Sequence, residues 1–211
     1  MSAPRPSLFP AFLKLAGRRC LLVGGGPVAE SKLGVLLHAG AQLTIISPKL
    51  TPGLREHVRR GEVLWKSREF EVSDIDGVFL VVAATGDGRA NELVFREADR
   101  RNTLCNAVDE PERSHFYYPA VVQRGALQIA ISTAGLSPSL AQRLRKELEV
   151  QFGPEYEHLT EWLGRVRSLL MRRGRNFETR RRVLGHLASR VVFDRIQAAR
   201  MRKKAHRVSG T

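Results

Sequence analysis

The stretch Cys20-Leu-Leu-Val-Gly-Gly-Gly-Pro-Val-Ala29 constrains this chain more than any other. Its apolar start reads as a buried strand and its three glycines as a turn. Pro27 suits the first position of a helix, where its missing N–H would be unpaired anyway. Apolar residues follow at helical spacing (Val28, Leu33, Leu36, Leu37), Gly40 supplies a C-cap, and a second apolar run spans Leu43 to Ile46. A strand, a helix and a strand so closely spaced make a βαβ unit, which requires a parallel sheet.

The glycines fit the G-x-G-x-x-A fingerprint as Gly24, Gly26 and Ala29. Gly24 permits the tight turn, Gly26 lets the backbone approach phosphates, and Ala29 keeps the helix near the sheet. Gly24, Gly25 and Gly26 are therefore candidate contacts for a dinucleotide. A turn that has lost its ligand is the bland alternative. The acid that usually binds the ribose about 20 residues on is missing. No Asp or Glu lies between Glu30 and Glu56, and the second strand runs into Ser47-Pro48-Lys49. Either a hydroxyl and backbone groups hold the ribose there, or Lys49 or Arg55 favours the 2′-phosphate of NADP.

Further along, Leu54 to Arg60 reads as a short helix and Glu62 to Lys66 as a short strand. The apolar run Asp76 to Thr85 fits a parallel strand buried on both faces. A helix (Arg89 to Arg101) and a strand (Thr103 to Val108) follow. The expected fold class is α/β, a Rossmann-like doubly wound parallel sheet. Beyond it, Tyr117 to Val122 and Leu127 to Ser132 read as two strands joined across Gln123-Arg124-Gly125. Helices are expected over Ser139 to Val150, Glu155 to Arg173, Asn176 to Arg190 and Val191 to Lys204, with a frayed tail from Val208.

The charge is uneven. The chain carries 35 Lys+Arg against 21 Asp+Glu, and from Arg165 to Arg207 only Glu178 and Asp194 oppose 15 basic residues. Such a surface is either a solvated helical face or attracts a polyanion, including a small substrate with many carboxylates. Few aromatics interleave with the arginines, which argues against nucleic acid. No apolar run is long enough to span a membrane. Cys20 and Cys105 fall in buried strands and read as core residues of a reducing compartment, the cytoplasm.

Asp109 is the acid to watch. It follows a strand end, and ligands of open α/β sheets bind beyond the carboxyl ends of the strands. It would share a crevice with Gly24 to Gly26 and Thr85, and could exchange a proton or hold a metal ion. His115, close by, is a second proton-transfer candidate or a packing residue. Ser132 to Pro138 is a small-residue loop before a helix start, fit to bind carboxylates or simply to cap. The sequence has no zinc-finger, metalloprotease or P-loop pattern.

These pieces together resemble a known family, the siroheme synthase N-terminal module and its standalone relatives, the precorrin-2 dehydrogenases. The resemblance rests on Leu8-Phe-Pro10, Val23 to Ala29, and Val82-Ala-Ala-Thr85 with Asn91 after it. It continues through Cys105-Asn-Ala-Val-Asp109, Phe116 to Pro119, and Ser132 to Pro138 leading into Leu140 to Arg145. It implies that NAD⁺ oxidises precorrin-2, a reduced tetrapyrrole, to sirohydrochlorin. In bifunctional relatives the same site then inserts Fe²⁺. The family's essential aspartate maps onto Asp109, as catalytic group and metal contact. Its nucleotide contacts map onto Pro27-Val28 and Pro48-Lys49. Ser47 and Thr85 are added to these, and Asn106, His115, Ser132, Thr133 and Ser137 are expected at the substrate. One departure stands out: Thr133 occupies a position held by serine in some relatives. The resemblance, which covers about residues 7 to 152, also implies a homodimer, with residues 1–113 binding NAD and 114–152 dimerising; residues 153–211 read from their charge and pattern as a basic helical domain. A module that senses NAD(H) without chemistry is the rival reading.

Overall fold

The computed structural model describes residues 8–174 and 176–194. The chain divides into two compact units, Met1–Tyr118 and Pro119–Thr211.

In the first unit, strands and helices alternate as β1 (Arg19–Val23), α1 (Pro27–His38), β2 (Gln42–Ile46), α2 (Pro52–Arg59), β3 (Leu64–Lys66), β4 (Leu80–Ala83), α3 (Gly88–Arg100) and β5 (Leu104–Ala107). Short 3₁₀ turns occupy Val72–Ile75 and Pro111–Arg113. All strand pairs are parallel, in the order β3-β2-β1-β4-β5. This is the doubly wound α/β arrangement the alternating pattern called for. The order reverses between β1 and β4, and such a reversal opens a crevice at the strands' carboxyl ends.

The two central strands read as continuous apolar runs because both faces are covered. Cys20, Leu22, Leu43, Ile45, Leu80 and Val82 pack on one side with Leu33 and Leu36 of α1 and Leu54 of α2. Leu21, Val23, Ile46, Val81, Ala83 and Cys105 pack on the other with Val94 and Ala98 of α3. β4 is shorter than the run Asp76 to Thr85 that announced it. Gly77, at φ 71°, turns the chain first, and strand pairing starts only at Phe79, whose N–H donates to the Arg19 carbonyl at 2.9 Å. α2 starts before Leu54, at Pro52, because the Thr51 hydroxyl caps it.

β3 is a short, exposed edge whose exit is pinned by a buried acid. Asp74 accepts from Lys66 Nζ at 2.7 Å, from the Arg68 guanidinium at 2.7 Å and from the Glu71 N–H at 2.9 Å. Burial by itself would raise its pKa. The hydrogen bonds from Arg68, Lys66 and the Glu71 N–H outweigh that and hold the carboxyl well below the usual carboxylate range.

The second unit opens with an antiparallel hairpin, β6 (Ala120–Arg124) and β7 (Leu127–Ile131). Arg124 pairs with Leu127, so the loop is Gly125-Ala126 rather than Gln123 to Gly125. Gly125 takes φ 56°, as a two-residue hairpin loop demands of its first residue. β6 begins at Ala120, later than Tyr117, since Tyr117 and Tyr118 belong to the first unit. Helices α4 (Pro138–Gln151), α5 (Glu155–Arg172) and α6 (Phe177–Leu187) follow. Arg124 donates to the carbonyls of Phe152 and Glu149, at 2.9 and 3.1 Å, and so closes the C-terminal end of α4 onto the hairpin. Helix also covers residues 190–194, where the Phe193 ring stacks on Tyr156 at 4.8 Å. The rest of the helix expected to Lys204, and the tail, lie outside the described residues.

Candidate active site

The turn after β1 is where the loops of the sheet converge. The Gly24 N–H donates to the Ile46 carbonyl at 2.9 Å, and the Gly25 carbonyl accepts from the Thr51 N–H at 2.9 Å. A β-carbon on Gly24 would fall 2.3 Å from the Ala84 carbonyl oxygen, and one on Gly25 would fall 1.9 Å from that of Lys49. Both glycines are required by the protein's own backbone. Gly26 differs: a β-carbon there meets nothing within 4 Å. The open space beside Gly26 lies where a close-approaching ligand is expected.

The start of α1 supports the same placement. The side chains of Thr51, Asp87, Ser137 and Asn176 cap α2, α3, α4 and α6. Gly26, the N-cap of α1, has no side chain to offer, and Pro27 follows it. Helix-start N–H groups carry partial positive charge and favour anions. The residues present therefore fit a dinucleotide: a glycine cradle with open space, an uncapped helix start behind it, and exposed Pro27 and Val28 at its rim.

The loop after β2 is fixed by internal bonds. The Ser47 hydroxyl donates to the Lys49 carbonyl at 2.7 Å, and the Ser47 carbonyl accepts from the Trp65 indole at 2.9 Å. Ser47 is buried, whereas Pro48 and Lys49 are exposed at the tip. The Ser47 hydroxyl proton is thus committed to the loop. Exposed Lys49 and Arg55 are compatible with NAD and with NADP, which adds a 2′-phosphate to the ribose. Beyond β4, the Thr85 hydroxyl lies 2.7 Å from Asn91 Oδ1 and 2.9 Å from the Asp87 carbonyl, so Thr85 shapes its own loop.

Asp109 stands exposed past the end of β5, in a β-turn closed by the Glu110 N–H on the Ala107 carbonyl at 3.1 Å. The Val108 N–H ties the turn to the Ala83 carbonyl of β4 at 2.9 Å. Asp109 takes φ 64°, a left-handed conformation that aspartate tolerates better than most residues. Such a position in an open sheet suits a group that must meet a ligand.

The other candidates separate. Asn106 is buried, and its amide donates to the Phe116 carbonyl at 2.8 Å and to Ser114 Oγ at 3.3 Å. His115 Nδ1 accepts from the Cys105 N–H at 3.1 Å, and Nε2 lies 3.1 Å from Asp99 in the last turn of α3. That pairing leaves the proton on Nε2. It also directs the ring to the far end of α3 from Asp109, which reads as packing rather than proton transfer. Ser132, Thr133 and Ser137 belong to the second unit. Each hydroxyl accepts from a backbone N–H of its own loop or helix start: Ala134 at 3.1 Å, Ser137 at 3.1 Å and Leu140 at 3.3 Å. The loop is a built helix cap, and among the described residues none of the three hydroxyls donates a hydrogen bond. Among the described residues, no three His, Cys, Asp or Glu side chains cluster to hold a metal. Sequence reasoning assigned no role to Asn91 or Glu110; both are site-shaping residues, with no signal beyond Asn91's place in the family pattern.

The fold and the glycine cradle define a dinucleotide-binding α/β protein. Residues 11–120, more than half of the chain, match the family described as "Putative NAD(P)-binding", and the chain belongs to that family. Residues 124–151 match the segment described as "Sirohaem biosynthesis protein central". The siroheme synthase of Photorhabdus laumondii is 41% identical over 174 residues, covering 80% of this chain and 37% of that protein. That of Chromobacterium violaceum is 38% identical over 174 residues, covering 82% and 37%. This chain therefore spans little more than a third of the curated relatives it matches. A solved structure of a precorrin-2 dehydrogenase, SirC, superposes with a TM-score of 0.79 at 25% identity, covering 97% of this chain and all of that one. The resemblance drawn from the motifs is borne out.

Proposed function

We propose that this chain is an NAD-dependent dehydrogenase that oxidises precorrin-2 to sirohydrochlorin in siroheme or cobalamin biosynthesis. The observation that carries the reading is Asp109, held exposed and left-handed at the carboxyl end of the sheet that also presents the Gly24–Gly26 cradle. The similarity to SirC and to the siroheme synthases supports the substrate.

Oxidation removes a hydride and a proton from the reduced macrocycle, and bound NAD⁺ supplies the hydride acceptor. Gly26 and the start of α1 would hold the pyrophosphate of bound NAD⁺, and Pro48 and Lys49 would border its ribose. Asp109 accepts the proton at a carboxylate oxygen. The excess of basic residues raises the local concentration of a substrate bearing many carboxylates. Ser132, Thr133 and Ser137 are assigned to those carboxylates through their hydroxyl protons. Asn106 braces the segment after β5 through Ser114 and Phe116, and His115 braces β5 itself at the Cys105 N–H.

We further infer a cytoplasmic homodimer, with residues 1–113 holding the cofactor, 114–152 dimerising and 153–211 forming the basic helical part. The test is a spectrophotometric assay with precorrin-2 and NAD⁺ or NADP⁺, then Fe²⁺. Formation of sirohydrochlorin that stops in Asp109→Asn, with NAD⁺ binding kept, is the expected result. Loss of the sirohydrochlorin spectrum on adding Fe²⁺, beyond the rate without protein, would add ferrochelatase activity, and its failure in Asp109→Asn supplied with sirohydrochlorin would make Asp109 the metal contact. Cofactor binding without any turnover would leave the NAD(H)-sensing module instead.

A further inference from the structure

The ends of β4 and β5 are joined by side chains as well as by the sheet. Asn91, in the first turn of α3, is only 4% exposed. Its Oδ1 accepts from the Thr85 N–H at 3.2 Å and from the Thr85 hydroxyl at 2.7 Å. Its Nδ2 donates to Glu110 Oε1 at 3.2 Å. The other Glu110 oxygen accepts from Arg113, which also reaches Glu92 at 3.4 Å. Hydrogen bonds from Arg113 and Asn91 outweigh burial and lower the pKa of Glu110, so it stays a carboxylate.

Glu110 is the last residue of the turn that displays Asp109. Of the turn's two central residues only Asp109 has a positive φ, the pattern of a type II turn, which prefers glycine there. Aspartate holds this conformation against a local cost, so something outside the turn must favour it. The Ser114 hydroxyl is one brace, since it donates toward the carbonyls of Ala107 and Glu110 at 3.1 and 3.0 Å. The Glu110 side chain is the other. It anchors the turn to a buried amide that also fixes the loop after β4.

We propose that Asn91 and Glu110 are positioning residues for Asp109. Their hydrogen bond, braced by Arg113, locks the loops after β4 and β5 to each other and holds the catalytic carboxylate in its left-handed turn. This rests on the reading of Asp109 as the proton acceptor.

The test is a reversal of the hydrogen bond in the full chain. Asn91→Asp sets two carboxylates against each other. It should lower kcat roughly 10- to 100-fold, as misplaced catalytic groups do, and leave KM for NAD⁺ nearly unchanged. Adding Glu110→Gln to Asn91→Asp restores the bond with its polarity reversed, because the new amide donates to the new carboxylate. That double variant should recover most of kcat. Wild-type turnover in Asn91→Asp, or a double variant as slow as the single one, would overturn the proposal. Should Asn91→Asp fail to fold, Glu110→Ala decides, since that side chain is 24% exposed and outside the core. The same kcat loss is expected of it. A crystal structure of Glu110→Ala should show Asp109 out of the left-handed region, and an unmoved Asp109 would overturn the proposal. That structural readout does not depend on turnover. A wild-type chain inactive on precorrin-2, or an active Asp109→Asn, counts against the dehydrogenase reading instead.

Discussion

At the scale of residues, two acids behave in opposite ways. Asp109 is exposed and conformationally costly, and among the described residues none hydrogen-bonds or ion-pairs with its carboxylate. Asp109→Gly should therefore keep or raise stability, by up to about 1 kcal/mol, because glycine enters the left-handed region freely. The same change should abolish turnover; urea unfolding beside the precorrin-2 assay measures both. Asp74 is buried, with its side chain 1% exposed, and paired. Its folded pKa lies below the unfolded one, so its contribution is complete above about pH 4 and fades as pH falls below that. Asp74→Asn should cost about 2 kcal/mol at pH 7, below the usual toll for breaking a buried pair because Lys66 and Arg68 reach solvent. Urea unfolding at pH 7 and pH 3 should show that gap narrowing. The buried thiols are a third case: burial pushes Cys20 up to about 11 and Cys105 up to about 12, so both remain protonated core residues.

At the scale of elements, the glycine turn divides into structural and ligand-facing parts. Gly25→Ala drives a methyl into the Lys49 carbonyl, and relief requires moving the loop after β2. It should lower stability by roughly 2 kcal/mol or more, as overpacking does. Gly26→Ala meets no protein atom. It should leave the melting temperature nearly unchanged while weakening NAD⁺ binding; calorimetric titration and thermal melts together separate the two. The motif spacing made the turn legible. Which glycine answers to which neighbour was not, because Ala84 and Lys49 are distant in sequence and meet it only through the parallel sheet.

At the scale of the molecule, the two units are unequally buried. The first holds nearly all the fully buried apolar side chains. Among the described residues of the second, only Ala120, Val122, Ala141 and Phe193 are buried hydrophobic residues, while Val121, Leu136, Leu140 and Val150 are exposed. A dimer interface in the proposed segment would cover apolar residues such as Val121 and Leu136. In the proposed dimer, Val121→Lys with Leu136→Lys should shift the mass in light scattering from dimer toward monomer and weaken the dependence of the melting temperature on protein concentration. A mass unchanged from wild type would place the dimer interface elsewhere.

The sequence by itself determined the parallel α/β sheet, the glycine cradle and the place of Asp109 just past a strand end. Period, turn residues and motif order are local, and they survive without knowledge of contacts. It also brought the family resemblance, through the order of short motifs. The tertiary structure alone decided that the Ser47 hydroxyl turns inward, that His115 packs against Asp99, and that Asn91 and Glu110 join the loops beside Asp109. A polar side chain's role depends on which distant backbone or carboxylate comes within hydrogen-bonding reach. Only the closed sheet brings those partners together.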